Sequence, residues 1–193
     1  MITGVSYMGH HNPRYLAADF AAMRELKLDD VFLCLQENDF RNFTGKVRFA
    51  PALARGAGIR PLALFWGALN LFGGGRSSQF LLENPEGFQR DRSGTQLPAG
   101  CYVNPKNVAY LQSLIDLCAD LGYVGYFVDE PTPLNCYCAA CLEQYDAVIG
   151  GDLRQSSASD EQRCRHHCLI TYIETIATYC KERHPQMETF CCL

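Results

Sequence analysis

Apolar and polar positions along the chain fall into a repeating alternation of short and long patterns. Ile2 to Met8 is a short run with strand character. It is followed by Asn12-Pro13, a side-chain cap with proline at the first helical position, and then by Leu16, Phe20, Met23 and Leu26 at helical spacing. That spacing predicts a first helix reaching about Lys27. A second apolar run, Val31 to Leu35, ends in the polar group Gln36-Glu37-Asn38-Asp39. A helical stretch over about 46–55 closes at Gly56-Ala57-Gly58, and Ile59 to Trp66 reads as a third strand. After a long interruption, Pro105 opens a helix with Val108, Leu111, Ile115 and Cys118 on one face, ended by Gly122. Tyr123 to Val128 is a fourth strand, about 139–149 a helix, and 150–159 a polar connector. Asp160 then caps a long helix with Leu169, Tyr172, Ile176 and Cys180 as its apolar stripe, and Met187 to Leu193 reads as a fifth strand.

Strands rich in aromatic and β-branched residues, alternating with helices, predict an α/β fold with a parallel sheet and helical crossovers. The series gives about five β/α units of a (β/α)8 TIM barrel, a single incomplete domain over 1–193. A long irregular insert after strand three, 67–104, sits within it. An open doubly wound sheet is the alternative. It is disfavoured because no glycine-rich phosphate loop follows the first strand. Five strands leave open sheet edges, so the chain reads as a fragment, or as one whose edges a partner covers, a homo-oligomer included.

Size and charge remove several function classes. At 193 residues the chain can bury a full core. A net charge of −4 gives no basic footprint for nucleic acid. No apolar run reaches membrane-spanning length, and the N-terminus lacks the pattern of a secretion signal. Eleven cysteines, an odd number, fit thiols in a reducing, cytoplasmic setting better than a disulfide scaffold.

Chemistry concentrates after the strands. Asp129 and Glu130 end the fourth strand, where α/β enzymes keep catalytic groups. Neighbouring residues on a strand face opposite ways, so one of the two points into the barrel mouth. A carboxyl group held against an apolar rim has a raised pKa and suits a general acid. Structural readings are a rim acid that caps the next helix or pairs with an arginine. His10 and His11 follow strand one, Glu37 and Asp39 strand two, and Trp66 and Asn70 strand three. Facing one mouth, an aromatic ring and several hydrogen-bonding forks would line a carbohydrate site.

The most specific motif is Cys136-x-Cys138-x-x-Cys141. Three thiols this close can wrap a soft tetrahedral ion. Cys101, in the insert after Gly100, is the candidate fourth ligand. Four thiolates close the coordination sphere, so the implied zinc is structural and pins the insert to the loop after strand four. Cys34, Cys118, Cys180, Cys191 and Cys192 lie in apolar runs and read as core. Cys164 and Cys168, flanking His166 and His167, are a weaker metal candidate inside a helix, where packing is the favoured reading.

The stretches Asn84-Pro85-Glu86, Asp91 to Gly94, Cys101 to Pro105, Phe127 to Pro131 and Cys136 to Leu142 together resemble the barrel domain of glycoside hydrolases of the retaining (β/α)8 clan. The cysteine knuckle with an upstream cysteine is similar to the zinc cluster of microbial β-galactosidases in that clan. The resemblance implies that Glu130, at the end of strand four, is the acid/base of a glycosidase. Asp129 stands where the clan has asparagine. The nucleophile of the clan lies on strand seven, whereas this sequence reaches strand five. Other readings are a non-catalytic carbohydrate-binding or assembly module on the same barrel, and a metal-dependent hydrolase using His10 and His11.

Overall fold

In a computed structural model, residues 2–9, 12–66, 68–71, 78–129 and 131–191 are described. Five strands, β1 (Gly4–Tyr7), β2 (Asp30–Cys34), β3 (Arg60–Leu64), β6 (Gly125–Val128) and β7 (Glu188–Cys191), form one all-parallel sheet in the order β1-β2-β3-β6-β7. The order never reverses. A doubly wound sheet needs a reversal at its switch point, so the sheet is singly wound, like consecutive staves of a (β/α) barrel.

The connecting helices are α1 (Pro13–Glu25), the short α2 (Glu37–Arg41), α3 (Thr44–Gly56), α5 (Pro105–Leu121), α6 (Ala139–Val148) and α7 (Ala158–Arg183). α1 and α5 start alike. Asn12 accepts a hydrogen bond from the Arg14 amide at 3.0 Å and Asn104 from the Lys106 amide at 2.9 Å, each with proline next in line. α7 is capped by Ser157, which accepts from the Asp160 amide at 3.1 Å, so the helix starts before the expected Asp160. α2 was not expected. A capping box between Gln36 and Asp39 starts it where the sequence showed only a polar group.

The pleat divides the sheet into two environments. Tyr7, Val31, Leu33, Ala63, Tyr126 and Val128 join Leu16, Phe20, Ala50, Ile115 and Ile176 of the helices in one continuous core. On the other face, the side that is the lumen in a closed barrel, Phe32 meets Phe127 and Phe190 edge-to-face, at 5.2 Å and 5.9 Å between centroids. At the N-terminal end of that face Arg60 binds Asp30 at 2.7 Å and Glu188 at 2.8 Å, tying β2, β3 and β7 together. Gly125 is required here, because a Cβ would lie 2.7 Å from Leu62 and 2.9 Å from the Glu188 carbonyl.

The segment after β3, expected to be irregular, carries structure of its own. It holds α4 (Gln79–Glu83) and an antiparallel hairpin of β4 (Phe88–Arg90) and β5 (Gln96–Gly100). The buried Asn107 amide of α5 donates to Gly87 O at 2.8 Å and Cys101 O at 2.9 Å, fixing both ends of the hairpin. Gly87-Phe88 and the run 96–100 have strand spacing too brief to separate from loop by pattern alone.

α3 contains Pro51, which has no amide to offer the Val47 carbonyl one turn back. The hydroxyl of buried Tyr123, just before β6, donates to that carbonyl at 3.2 Å. Tyr123→Phe should therefore destabilise by about 1–2 kcal/mol, the range for leaving one buried acceptor unmade. In a Pro51→Ala background the loss should shrink, since the alanine amide can serve Val47. Urea denaturation of the double-mutant cycle measures this coupling; equal losses in both backgrounds would refute it.

Candidate functional site

Two groups of side chains lie toward the C-terminal edge of the sheet. One is a set of acids and a lysine after β2. Glu37, 6 % exposed, accepts from Ser78 Oγ at 2.5 Å and from the Phe80 amide at 2.7 Å, and lies 3.6 Å from Arg41. Its two oxygens thus hold the start of α4. Asp39, 5 % exposed, accepts from the Gln36 amide at 2.7 Å and closes the capping box of α2. Glu37 is thus occupied in joining two rim segments, and Asp39 in starting its own helix.

Lys46 was not expected. It lies in the first turn of α3, on the same inward face as Val47, Ala50 and Ala54, and is 3 % exposed. Its ammonium donates to the Cys34 carbonyl at 2.5 Å, at the very end of β2. Burial lowers its pKa, and Asp39 and Cys34 act against that. The sequence signal was present: a lysine in phase with the buried stripe of an amphipathic helix.

Asp129 follows β6 in phase with Gly125 and Phe127, hence on the lumen side of the pleat. Burial raises the Cys34 thiol's pKa, the Lys46 charge lowers it, and the Asp129 carboxylate raises it further. Cys34, Lys46 and Asp129 therefore share one electrostatic neighbourhood across β2 and β6. Trp66 is half-buried after β3, its amide bonded to the Leu64 carbonyl at 3.0 Å. Asn70 donates to the Pro98 carbonyl at 3.0 Å, while its buried Oδ1 has no hydrogen-bond partner among the described residues. Leu69 and Asn70 both adopt left-handed backbone, φ 56° and 52°, a strained turn of the kind that persists where surroundings over-determine it. Glu130, His10 and His11 lie outside the described residues.

The second group is the cysteine cluster. Cys101 comes from the end of the hairpin, Cys136 and Cys138 from the loop after β6, and Cys141 from the first turn of α6. All four are buried, and their sulfurs lie within 4.8 Å of one another, a geometry that can hold a metal ion. Cys101 and Cys141 are 3.4 Å apart. Four sulfurs at about 2.3 Å from one tetrahedral ion stand roughly 3.8 Å apart, so the donor set fits a closed thiolate site. Among themselves the thiols compete for protons. Hydrogen bonding from Cys101 holds Cys136 far below the thiol range, and contact with Cys136 pushes Cys101 up. An S4 set without an open position serves structure and not substrate activation.

The loop between the two groups is tied on both sides. Tyr102 accepts from the Leu134 amide at 3.2 Å, Arg165 of α7 donates to the Leu134 carbonyl, and the Tyr137 amide donates to the Arg90 carbonyl at 2.8 Å. The guanidiniums of Arg92 and Arg165 lie over the Tyr137 ring, 5.3 Å and 5.0 Å from its centroid, and the Tyr137 hydroxyl donates to Glu161 at 2.5 Å. The loop that leaves Asp129 is thus held through the cluster to the hairpin and to α7.

No protein family and no characterised protein matches the sequence. Solved structures do match the fold. An α-L-fucosidase isoenzyme 2 from Paenibacillus thiaminolyticus superposes with a TM-score of 0.70 at 13 % identity, over 98 % of this chain and 32 % of that one. The likeness is one of fold. TtGalA, an α-galactosidase from Thermus thermophilus, gives 0.58 at 16 % identity, over 98 % of this chain and 38 % of that one. The glycoside hydrolase domain of PelA from Pseudomonas aeruginosa gives 0.54 at 14 % identity, over 99 % and 59 %. This chain spans about a third of the fucosidase. The neighbours are glycoside hydrolases, and at these identities they show the fold alone. No helix among the described residues is long and apolar enough to cross a membrane.

Glu37→Ala would leave Ser78, 2 % exposed, and the Phe80 amide without their acceptor. The expected loss is about 1–3 kcal/mol, read by chemical denaturation. A loss within a few tenths of a kcal/mol would mean that Glu37 is free for another role.

Proposed function

We propose that this chain is the first five β/α units of a zinc-stapled, glycoside hydrolase-like barrel. Glu130 acts as general acid/base, and a carbohydrate lies over the C-terminal edge of the sheet. The observation that carries this reading is the position of Asp129, the residue before Glu130 in the sequence, directly after β6, the fourth strand of a singly wound parallel sheet. Its likeness to glycoside hydrolases over nearly the whole chain supports it.

The two acids divide the work. Asp129, in phase with the lumen face, bonds a sugar hydroxyl, and Glu130 delivers the proton to the departing oxygen. His10, His11, Trp66 and Asn70 border the sugar, with Glu37 and Asp39 holding the rim behind them. A retaining mechanism needs a second carboxylate about 5–5.5 Å from the first on the opposite side of the bond. Residues adjacent on a strand diverge, so Asp129 does not supply it. The nucleophile then comes from a strand outside this sequence.

Zinc is the ion proposed for Cys101, Cys136, Cys138 and Cys141, because tetrathiolate donors suit it and it needs no redox chemistry to serve as a staple. It would hold the hairpin, the loop after β6 and α6 at one point, and so position the segment that begins with Asp129. Setting is cytoplasmic in this reading, where thiols stay reduced.

The test for catalysis is hydrolysis of a panel of aryl glycosides by the protein with its native chain length. Glu130→Gln should lower kcat by about 10²–10⁴-fold, the range for losing a general acid, while Asp129→Asn should act mainly on KM. Turnover unaffected by Glu130→Gln would sink the assignment. Saccharide binding without turnover would favour the binding-module reading, and activity lost with His10→Ala and restored by added metal would favour the metal-dependent hydrolase.

Zinc has its own test. One equivalent per chain should co-purify, and Cys138→Ser should abolish it with a clear fall in melting temperature. Absence of metal in freshly isolated, reduced protein would contradict the staple.

A further inference from the structure

α7 carries three thiols that the four-cysteine site leaves unused, and two of them are neighbours. Cys164 and Cys168, one turn apart, are 3 % and 9 % exposed, and their sulfurs are 4.0 Å apart. His166 and His167 between them are exposed, so the spacing yields a dithiol and not a mixed cysteine–histidine set. Both thiols line a small internal cavity whose other walls include Cys136, Cys141, Tyr102 and Arg165. Cys168 also borders a separate groove of about 370 Å³, edged by the exposed Thr171 and Thr175, so one member of the pair faces a route to solvent.

The sulfur separation has a chemical reading. It is about twice the 2.05 Å of a disulfide. Metal–sulfur lengths of about 2.3 Å place two sulfurs roughly 3.8 Å apart around a tetrahedral ion and ~4.6 Å apart around a linear one, and 4.0 Å falls between. Two thiolates do not complete a shell for zinc, which takes four ligands. They suffice for a soft monovalent ion, for which thiolate is the selective donor.

From this we infer that Cys164 and Cys168 form a second thiolate site, separate from the four-cysteine cluster, for a soft monovalent ion of the copper(I) class. Binding converts two thiols and one copper(I) ion into an anionic bis-thiolate complex and releases two protons to solvent, with no change in copper oxidation state. Burial pushes both thiols up, so they stay protonated until an ion displaces the protons. Arg165, on the wall of the same cavity, favours the thiolate form of both and faces the charge that the complex acquires. The inference rests on zinc filling the four-cysteine cluster, which would otherwise compete for the same ion.

The experiment is an anaerobic titration of the zinc-loaded protein with copper(I), held by a chromogenic copper(I) chelator, with zinc content measured before and throughout. The expected result is one equivalent of copper(I) bound with zinc retained, and at least a tenfold weaker first equivalent in the Cys164→Ala/Cys168→Ala protein at unchanged zinc content. Expulsion of zinc by the first equivalent, or the same first equivalent in the double variant, overturns the site. Should the double variant misfold, X-ray absorption on the wild-type protein decides. A two-sulfur copper shell with zinc in place supports the pair, and a larger sulfur shell with zinc released refutes it. A protein that takes up no zinc at all is recognised before copper is added. That outcome defeats the staple, and this inference with it.

Discussion

The meeting of four buried sulfurs is the constraint on which the upper half of the molecule depends. Cys101 ends the hairpin, Cys136 and Cys138 sit in the loop after β6, and Cys141 opens α6, so one small volume joins the distant hairpin to the loop and to the helix that follows it. Of these segments, the loop after β6 has no regular structure with which to hold itself. The loop from Pro131 to Tyr137 makes no strand or helix, and it is kept in place by Tyr102, Arg165 and the Arg90 carbonyl around the cluster. A metal ion in such a set contributes folding free energy directly, because the unfolded chain offers no assembled site.

Below that point the geometry is set by the sheet. The helix-side face is filled by aliphatic and tyrosine side chains that interlock with α1, α3, α5 and α7, and each of these helices packs against the next in the series. The lumen face is sparser and aromatic, with Phe32 at the centre and the Asp30–Arg60–Glu188 set at its base. Arg60 makes bonds to carboxylates on both neighbouring sides, which fixes the relative height of β2, β3 and β7. This raises its own already high pKa, Asp30 contributing most.

At the upper edge, burial forces polar groups into structural duties. Glu37 and Asp39 have the residue types and the position of ligand-binding acids. Yet each is buried and spends its oxygens on backbone amides or on Ser78. A carboxylate withdrawn from water this far is tolerable only when hydrogen-bonded. Lys46 obeys the same rule with a carbonyl acceptor. Asp129 follows the last residue of its strand in phase with Gly125 and Phe127, on the lumen side of the pleat.

The sequence by itself determined the alternation of strands and helices, the parallel sheet and the start of most helices. These follow from local rules: the period of apolar residues, the asparagine–proline starts at Asn12 and Asn104, and the left-handed cap at Gly122 with φ 90°. It also showed the cysteine knuckle, because three of the four thiols are close in sequence and only Cys101 is distant. Only the tertiary structure decided the unreversed strand order, the hairpin within the insert, the capping work of Glu37 and the serving of Val47 by Tyr123 across the gap left by Pro51. Apart from the hairpin, whose strands are too short to separate from loop by pattern, each of these depends on a partner tens of residues away, and no local pattern encodes such pairing. Hydrogen-bond satisfaction in a buried interior is settled by which groups the fold brings within about 3 Å of one another.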